Sequence, residues 1–246
     1  MIELFLFCYN EEIRIGTTLQ HYKKMFPEIR ITLCNNESTD KSVEIAKSMG
    51  CEIYTYKTNN ILNEFVHHDI RNNFWKKSTK RWIIICDMDE LLCMTQKDLE
   101  REDAMGVSLI KTQGYNMCAN SLSNTLDDIK IEQIDSGFED NHYSKLICFK
   151  RTDVHEMRFG PGGHVSFPMG RNIKYSEKIY PLYHYKFLGY QYLLENYSLN
   201  YSRSHQMRHF GMSLHYKNLP NQIKDLMENV RAKSTKLSSL EAMQKR

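Results

Sequence analysis

In RWIIICDMDELL, residues 81–92, an apolar run ends on three carboxylates, Asp87, Asp89 and Glu90. Carboxylates two residues apart at the end of an apolar strand repel one another. Packing them beneath that strand is costly unless a cation compensates. A divalent metal does so directly, and oxygen-only ligands favour Mg²⁺ or Mn²⁺, which keep some waters and share their remaining positions with substrate phosphates. An isolated Asp-x-Asp is more often a solvated acidic turn. Here the position of the motif, in line with two other polar strand ends, favours the metal.

The elements that position it alternate. ELFLFCY is an apolar strand and EEIRIGTTLQHYKKMF has helical spacing. IRITLCN reads as a strand and STDKSVEIAKSMG as a helix, with Ser38, Thr39 and Asp40 as cap residues and Gly50 at its stop. CEIYTY is a third strand, NEFVHHDIRNNFWKKST a third helix and RWIIICDMDE a fourth strand. Such alternation implies right-handed βαβ units and an α/β fold, a Rossmann-like and mostly parallel central sheet flanked by helices. Ligands bind beyond the carboxyl ends of such strands. CYNEE, CNNESTD and DMDE each follow an apolar strand and should therefore converge on one edge.

From about residue 104 the pattern is less regular. VSLIKTQGYNM, KLICFKR and KIYPLYHYKF read as strands, NTLDDIKIEQIDSGFEDN as a loop or irregular hairpin, and GPGGHVSFPMG as a shaped turn. LGYQYLLENYSLNYSRSHQMR and NQIKDLMENVRAKSTKLSSLEAMQKR read as C-terminal helices. A zinc site is not expected, because the seven cysteines are odd in number, form no C-x-x-C pair and, at Cys8, Cys34, Cys86 and Cys148, sit inside apolar stretches. With no long apolar run and no leader-like start, the expected location is cytoplasmic. Net charge is +3, but residues 203–246 hold nine Lys/Arg against three Asp/Glu. That basic tail reads as a solvated helix, with peripheral contact to an anionic membrane or a partner as alternatives. Tyr190, Tyr192, Tyr197 and Tyr201 pack as core and rim, and no nucleic-acid partner is expected.

CYNEE, NNESTDKSVEIAKSMG, IRNNF and WIIICDMDELL, in that order, resemble the nucleotide-sugar half of inverting family 2 glycosyltransferases with the GT-A fold. The likeness is to small bacterial and viral members, including the lipopolysaccharide-core glucosyltransferase type whose acidic motif reads D-x-D-E. KLICFKR, GGH and YPLYHYKFLGYQYLLENYSLNYS resemble later segments of that group. The resemblance covers residues 1–203, read as a nucleotide-binding half (1–95) and an acceptor half (96–203), and leaves the tail, 204–246, unexplained. It implies that Tyr9, Asn10 and Glu11 line the nucleoside pocket and that Asn36 lies near the base. It places Arg71 at the diphosphate, Asp87 at the ribose and beside the metal, Asp89 on Mn²⁺ or Mg²⁺, and His184 as a cap on metal or diphosphate; a buried core histidine is the plainer reading of His184. Lys145 would contact acceptor or diphosphate, with a solvated strand lysine as the equal alternative.

Two departures from the family stand out. Asn35-Asn36-Glu37 replaces the usual Asp-Asp-Gly, so an amide oxygen rather than a charge would face the base. His164-Val165 stands where a His-Glu is common. Inverting transfer needs a group to deprotonate the acceptor hydroxyl, and three candidates remain open: His164 in its glycine-shaped loop, Asp140 and Glu139. His155-Glu156 precedes that loop and reads as a turn. The implied activity is metal-dependent transfer from a nucleoside-diphosphate sugar, most often UDP-linked, to a hydroxyl of a glycan or lipid-linked glycan. The alternatives are a non-catalytic nucleotide-sugar or glycan-binding module and a nucleotidyltransferase, although CYNEE lacks the glycine-rich basic loop usual in the latter.

Overall fold

The computed structural model describes residues 2–119, 130–217 and 220–237. Alternate residues of the first strand, β1 (Ile2–Cys8), point to opposite faces, as the two-residue period of a strand requires. Leu4 and Leu6 join one core cluster with Ile15, Leu19, Tyr22 and Ala46, whereas Phe5 and Phe7 join another with Ile70, Trp75 and Phe149. Both faces of the strand are covered, which is why its sequence is continuously apolar. The first cluster lies under α1 (Ile15–Met25) and α2 (Ser42–Ser48), and the second under α3 (Glu64–Asn73).

β1 pairs in parallel with β2 (Arg30–Asn35) and β4 (Trp82–Asp87), and β2 with β3 (Glu52–Thr55). Register sets Cys8 opposite Asn35 and Phe7 opposite Asp87, so the three polar clusters do share one edge. Beyond β4 the sheet becomes mixed. It continues through β5 (Glu90–Leu92), β6 (Leu109–Cys118), β7 (Ser136–Glu139), β8 (Cys148–Lys150), β11 (Tyr175–Phe187) and β12 (Thr235–Lys236), ten strands in all, while β9 (Val154–Glu156) and β10 (Met169–Gly170) form a separate pair. β8 lies antiparallel to β4, and β11 runs parallel to β6 and antiparallel to β5. α4 (Gln96–Ala104) starts at a capping box in which Thr95 and Asp98 satisfy each other's backbone donors. α5 (Tyr190–Arg203), α6 (His205–His209) and α7 (Pro220–Lys233) follow.

Some local expectations change. His155-Glu156 is strand rather than turn, and Glu156 pairs with Lys76 at 2.7 Å. The last helix stops at Lys233, because the Ser234 hydroxyl and amide both bond back to the Val230 carbonyl and the next residues pair with β7. Within the expected irregular hairpin, residues 124–129 fall outside the described residues; Ile131–Gln133 is a 3-10 turn and Ser136–Glu139 a strand. All seven cysteines are free and buried.

Candidate active site

The loop after β1 is tied down by the Ser-Thr-Asp segment ahead of α2. Ser38 Oγ accepts from the Asn10 amide at 3.1 Å, Asn10 Oδ1 from the Thr39 amide at 2.8 Å, and Asp40 from the amides of Glu12 and Ser42. The residues read as helix caps thus fix the loop carrying Tyr9, Asn10 and Glu11. A cavity of ≈ 640 Å³ opens over these strand ends and over the glycine loop, β11 and α5. It takes in Tyr9, Asn10, Glu11, Asn36, Arg71, Asp87, Asp89, Lys145, His164 and His184. Ten sequence-derived site residues therefore meet in one place. Glu139 and Asp140 are not among its lining residues.

The acidic motif divides. Asp87 turns to Arg71, which it pairs directly, and to Lys145 at 3.6 Å, rather than sharing partners with Asp89. Burial alone would raise its pKa, but those two cations hold it below the usual carboxylate value. Glu90 is 1 % exposed and meets the Lys145 ammonium at 2.5 Å. Burial pushes its pKa up, and Asp87 and Asp89 add to that rise. Lys145 is itself 2 % exposed and donates to the Gly162 carbonyl at 2.7 Å. It is the buried counter-ion of the motif and not a solvated strand lysine.

Asp89 Oδ2 faces His184 Nε2 at 3.2 Å and Arg14 at 3.5 Å. Although burial raises its pKa, the facing His184 ring and the nearby Arg14 and Lys145 keep it well below the carboxylate range. The other ring nitrogen, Nδ1, lies 2.8 Å from Asn116 Oδ1, and the ring stacks on Tyr143 with centroids 4.0 Å apart. The amide oxygen can only accept, so Nδ1 carries the hydrogen and a neutral His184 turns an Nε2 lone pair toward a carboxylate oxygen. Two acceptors face each other there, an arrangement that calls for a proton or a cation between them. An oxygen and an imidazole nitrogen are donors that a divalent cation can take. Among the described residues no group of three or more His, Cys, Asp or Glu side chains could complete a cage. The other positions of a bound ion would then fall to water and substrate oxygens.

Arg71 is 4 % exposed, lies over the Phe7 ring at 4.5 Å, and has an Nη1 that is buried without a hydrogen-bond partner among the described residues. Gly163, at φ +70°, lets the backbone cross it, since a Cβ there would lie 3.2 Å from that nitrogen. Asn36 is 1 % exposed. Its Oδ1 accepts from Arg203 at 2.7 Å and its Nδ2 donates to Thr58 at 2.8 Å. The Arg203 guanidinium in turn sits 3.2 Å from the Tyr9 ring centroid. Asn36 thus holds Arg203 in the pocket wall, and one hydrogen of its amide is committed to Thr58. His164 Nδ1 donates to the His142 carbonyl at 2.9 Å and its ring stacks on His142 at 4.0 Å, leaving Nε2 as an acceptor. Burial and the Lys145 charge lower its pKa to about 4. Asp140 caps the turn Asn141–Tyr143 and accepts from Asn116 at 2.7 Å.

Sequence reading missed Arg14, Asn116, Tyr143 and Arg203. Arg14 sits one turn past CYNEE, and its bidentate pairing with Glu11 was the accessible signal. The others come from distant elements with no local pattern.

A mostly parallel α/β sheet with an acidic motif, a buried arginine and a facing Asp–His pair at its strand ends is the arrangement that the resemblance to glycosyltransferases of the GT-A fold implies. Residues 4–100 match the family described as Glycosyl transferase family 2. Among solved structures the chain is similar to S. aureus TarS 1-349 in complex with UDP, at 13% identity over 82% of this chain and 64% of that one, with a TM-score of 0.45. It is also similar to glucosyl-3-phosphoglycerate synthase from Mycobacterium tuberculosis in complex with Mn²⁺, UDP and glucosyl-3-phosphoglycerate, at 13% identity over 66% and 61%, with a TM-score of 0.37. The chain spans less than two thirds of the length of either structure. No curated protein matches it.

Proposed function

We propose that the protein transfers a sugar from a nucleoside-diphosphate sugar, a UDP-sugar in the first instance, to a hydroxyl of a glycan or lipid-linked glycan, with inversion and with Mn²⁺ or Mg²⁺. The observation that carries this reading is the facing pair of acceptors, Asp89 Oδ2 and His184 Nε2, 3.2 Å apart at the strand ends. A cation bound there supplies positive charge to the departing diphosphate. Arg71 adds its uncommitted nitrogen to the phosphate oxygens. Tyr9 and Arg203 form the nucleoside wall. The acceptor oxygen attacks the anomeric carbon, its proton passes to His164 Nε2, and the electron pair of the breaking bond leaves with the diphosphate.

In this reading the protein works in the cytoplasm, against an acceptor that is free or presented at a membrane surface. No helix among the described residues is long and apolar enough to cross a membrane. The test is a thermal-shift screen of UDP, GDP, CDP and dTDP with Mn²⁺, with Mg²⁺ and with EDTA. One nucleotide at a hundred times its Kd should stabilise by about 2.7 kcal/mol, a rise of about 5–11 °C, only when metal is present. A flat response to every pair would remove the donor-site reading.

A further inference from the structure

Asp140 lies outside the cavity, yet a line of hydrogen bonds runs from it into the site. Asp140 Oδ2 accepts from Asn116 Nδ2 at 2.7 Å, Asn116 Oδ1 lies 2.8 Å from His184 Nδ1, and His184 Nε2 faces Asp89 Oδ2 at 3.2 Å. Asp140 is held in turn, because its other oxygen accepts from the His142 amide at 3.0 Å. Each link is one-directional. A carboxylate only accepts, so the Asn116 NH₂ must face Asp140, the Asn116 oxygen must face His184, and the His184 hydrogen must sit on Nδ1. Asn116 is 3 % exposed and His184 5 %, so water does not compete for these contacts.

Left to Asp89 alone, a neutral His184 would carry its hydrogen on Nε2 and donate to that carboxylate, which shuts a cation out. The line from Asp140 imposes the opposite tautomer. We infer that Asn116 and Asp140 are positioning residues that hold His184 in the Nδ1–H tautomer, so that its Nε2 lone pair is kept for a divalent cation shared with Asp89. This inference rests on the metal reading of Asp89 and His184 given above. Outer partners of a metal-bound histidine act in this way, and removing one costs about 10- to 100-fold in metal affinity.

The experiment is a Mn²⁺ titration followed by the electron paramagnetic resonance of the free ion, with and without UDP. It uses the wild type, Asn116→Leu, Asn116→Asp and the exchange Asn116→Asp/Asp140→Asn. Asn116→Leu should weaken Mn²⁺ by about 10- to 100-fold while leaving UDP affinity in EDTA unchanged. Asn116→Asp alone sets two carboxylates against each other and should also weaken Mn²⁺. The exchange rebuilds every bond, because the amide at 140 accepts from the His142 backbone and donates to the carboxylate at 116, which accepts from His184 Nδ1. Its Mn²⁺ affinity should therefore return, and it keeps the test open if Asn116→Leu fails to fold. Wild-type Mn²⁺ affinity in Asn116→Leu, or an exchange variant no tighter than Asn116→Asp, overturns the inference. Asp89→Asn and His184→Gln are the separate control: unchanged Mn²⁺ affinity in both would overturn the metal reading and the inference with it.

Discussion

His164 is a histidine with the basicity of a carboxylate. Its Nδ1 is spent on the His142 carbonyl, and burial with the nearby Lys145 brings its pKa from the ordinary 6.5 to about 4. The base proposed above works in its deprotonated form, so transfer should hold level as pH falls through 6.5 and decline only toward 4. A pH profile of kcat/KM with an acid limb near 6.5 would contradict this. His164→Ala should lower kcat by about 10²- to 10⁴-fold with UDP affinity intact. The missing family carboxylate at position 165 is then no obstacle, since Val165 is exposed and the charge-neutral acceptor one residue earlier lines the cavity.

At the scale of elements, β6 and the turn Asn141–Tyr143 approach so closely that Gly114 is the only kind of residue that fits. A Cβ there would lie 2.4 Å from the Tyr143 backbone carbon. Gly114→Ala should lower unfolding stability by about 1–3 kcal/mol in urea titration, and should loosen the Tyr143 ring from His184. Nothing at Gly114 in the sequence announces this contact. The ends of β1, β2 and β4 were legible, because continuous apolar runs closed by CYNEE, CNNE and DMDE encode both the parallel sheet and its ligand edge. The roles of His184 and Lys145 came only from resemblance, as neither stands in a local pattern that says what it faces. Asn116 and Arg203 were invisible because each acts through a residue nearly seventy or more positions away. Short pairing segments such as β9 and β12 were missed for a related reason: two or three residues carry no period. The capping box at Thr95 and Asp98, which begins α4, was a readable signal.

Two histidines outside the proposed chemistry, His21 and His67, are held neutral by desolvation. His21 lies against the Leu92 carbonyl at 2.9 Å and His67 in the cavity wall, and burial lowers the pKa of each to about 4. Unfolded, both would take protons below about 6.5. Between those limits the unfolded chain binds more protons, so these two groups withdraw stability as pH falls from 6.5 toward 4 and withdraw none above it. Raised pKa values at Glu11, Glu64 and Glu90 act in the opposite direction, so a difference measurement isolates the histidine effect. His21→Gln should flatten the pH dependence of the urea midpoint between pH 7 and 5, by up to about 1.4 kcal/mol per pH unit. An unchanged slope would show that His21 already titrates normally in the folded chain.

Lys145 belongs by sequence to the second half, yet it neutralises Asp87 and Glu90 of the first and fastens the carbonyl of Gly162. A chain cut near residue 95 would keep its first five strands and lose the one ammonium its buried glutamate meets. The two pieces are therefore not interchangeable cassettes. Grafting a foreign second half onto these strands requires carrying a lysine back to the same point, or replacing Glu90 with an apolar residue of its size.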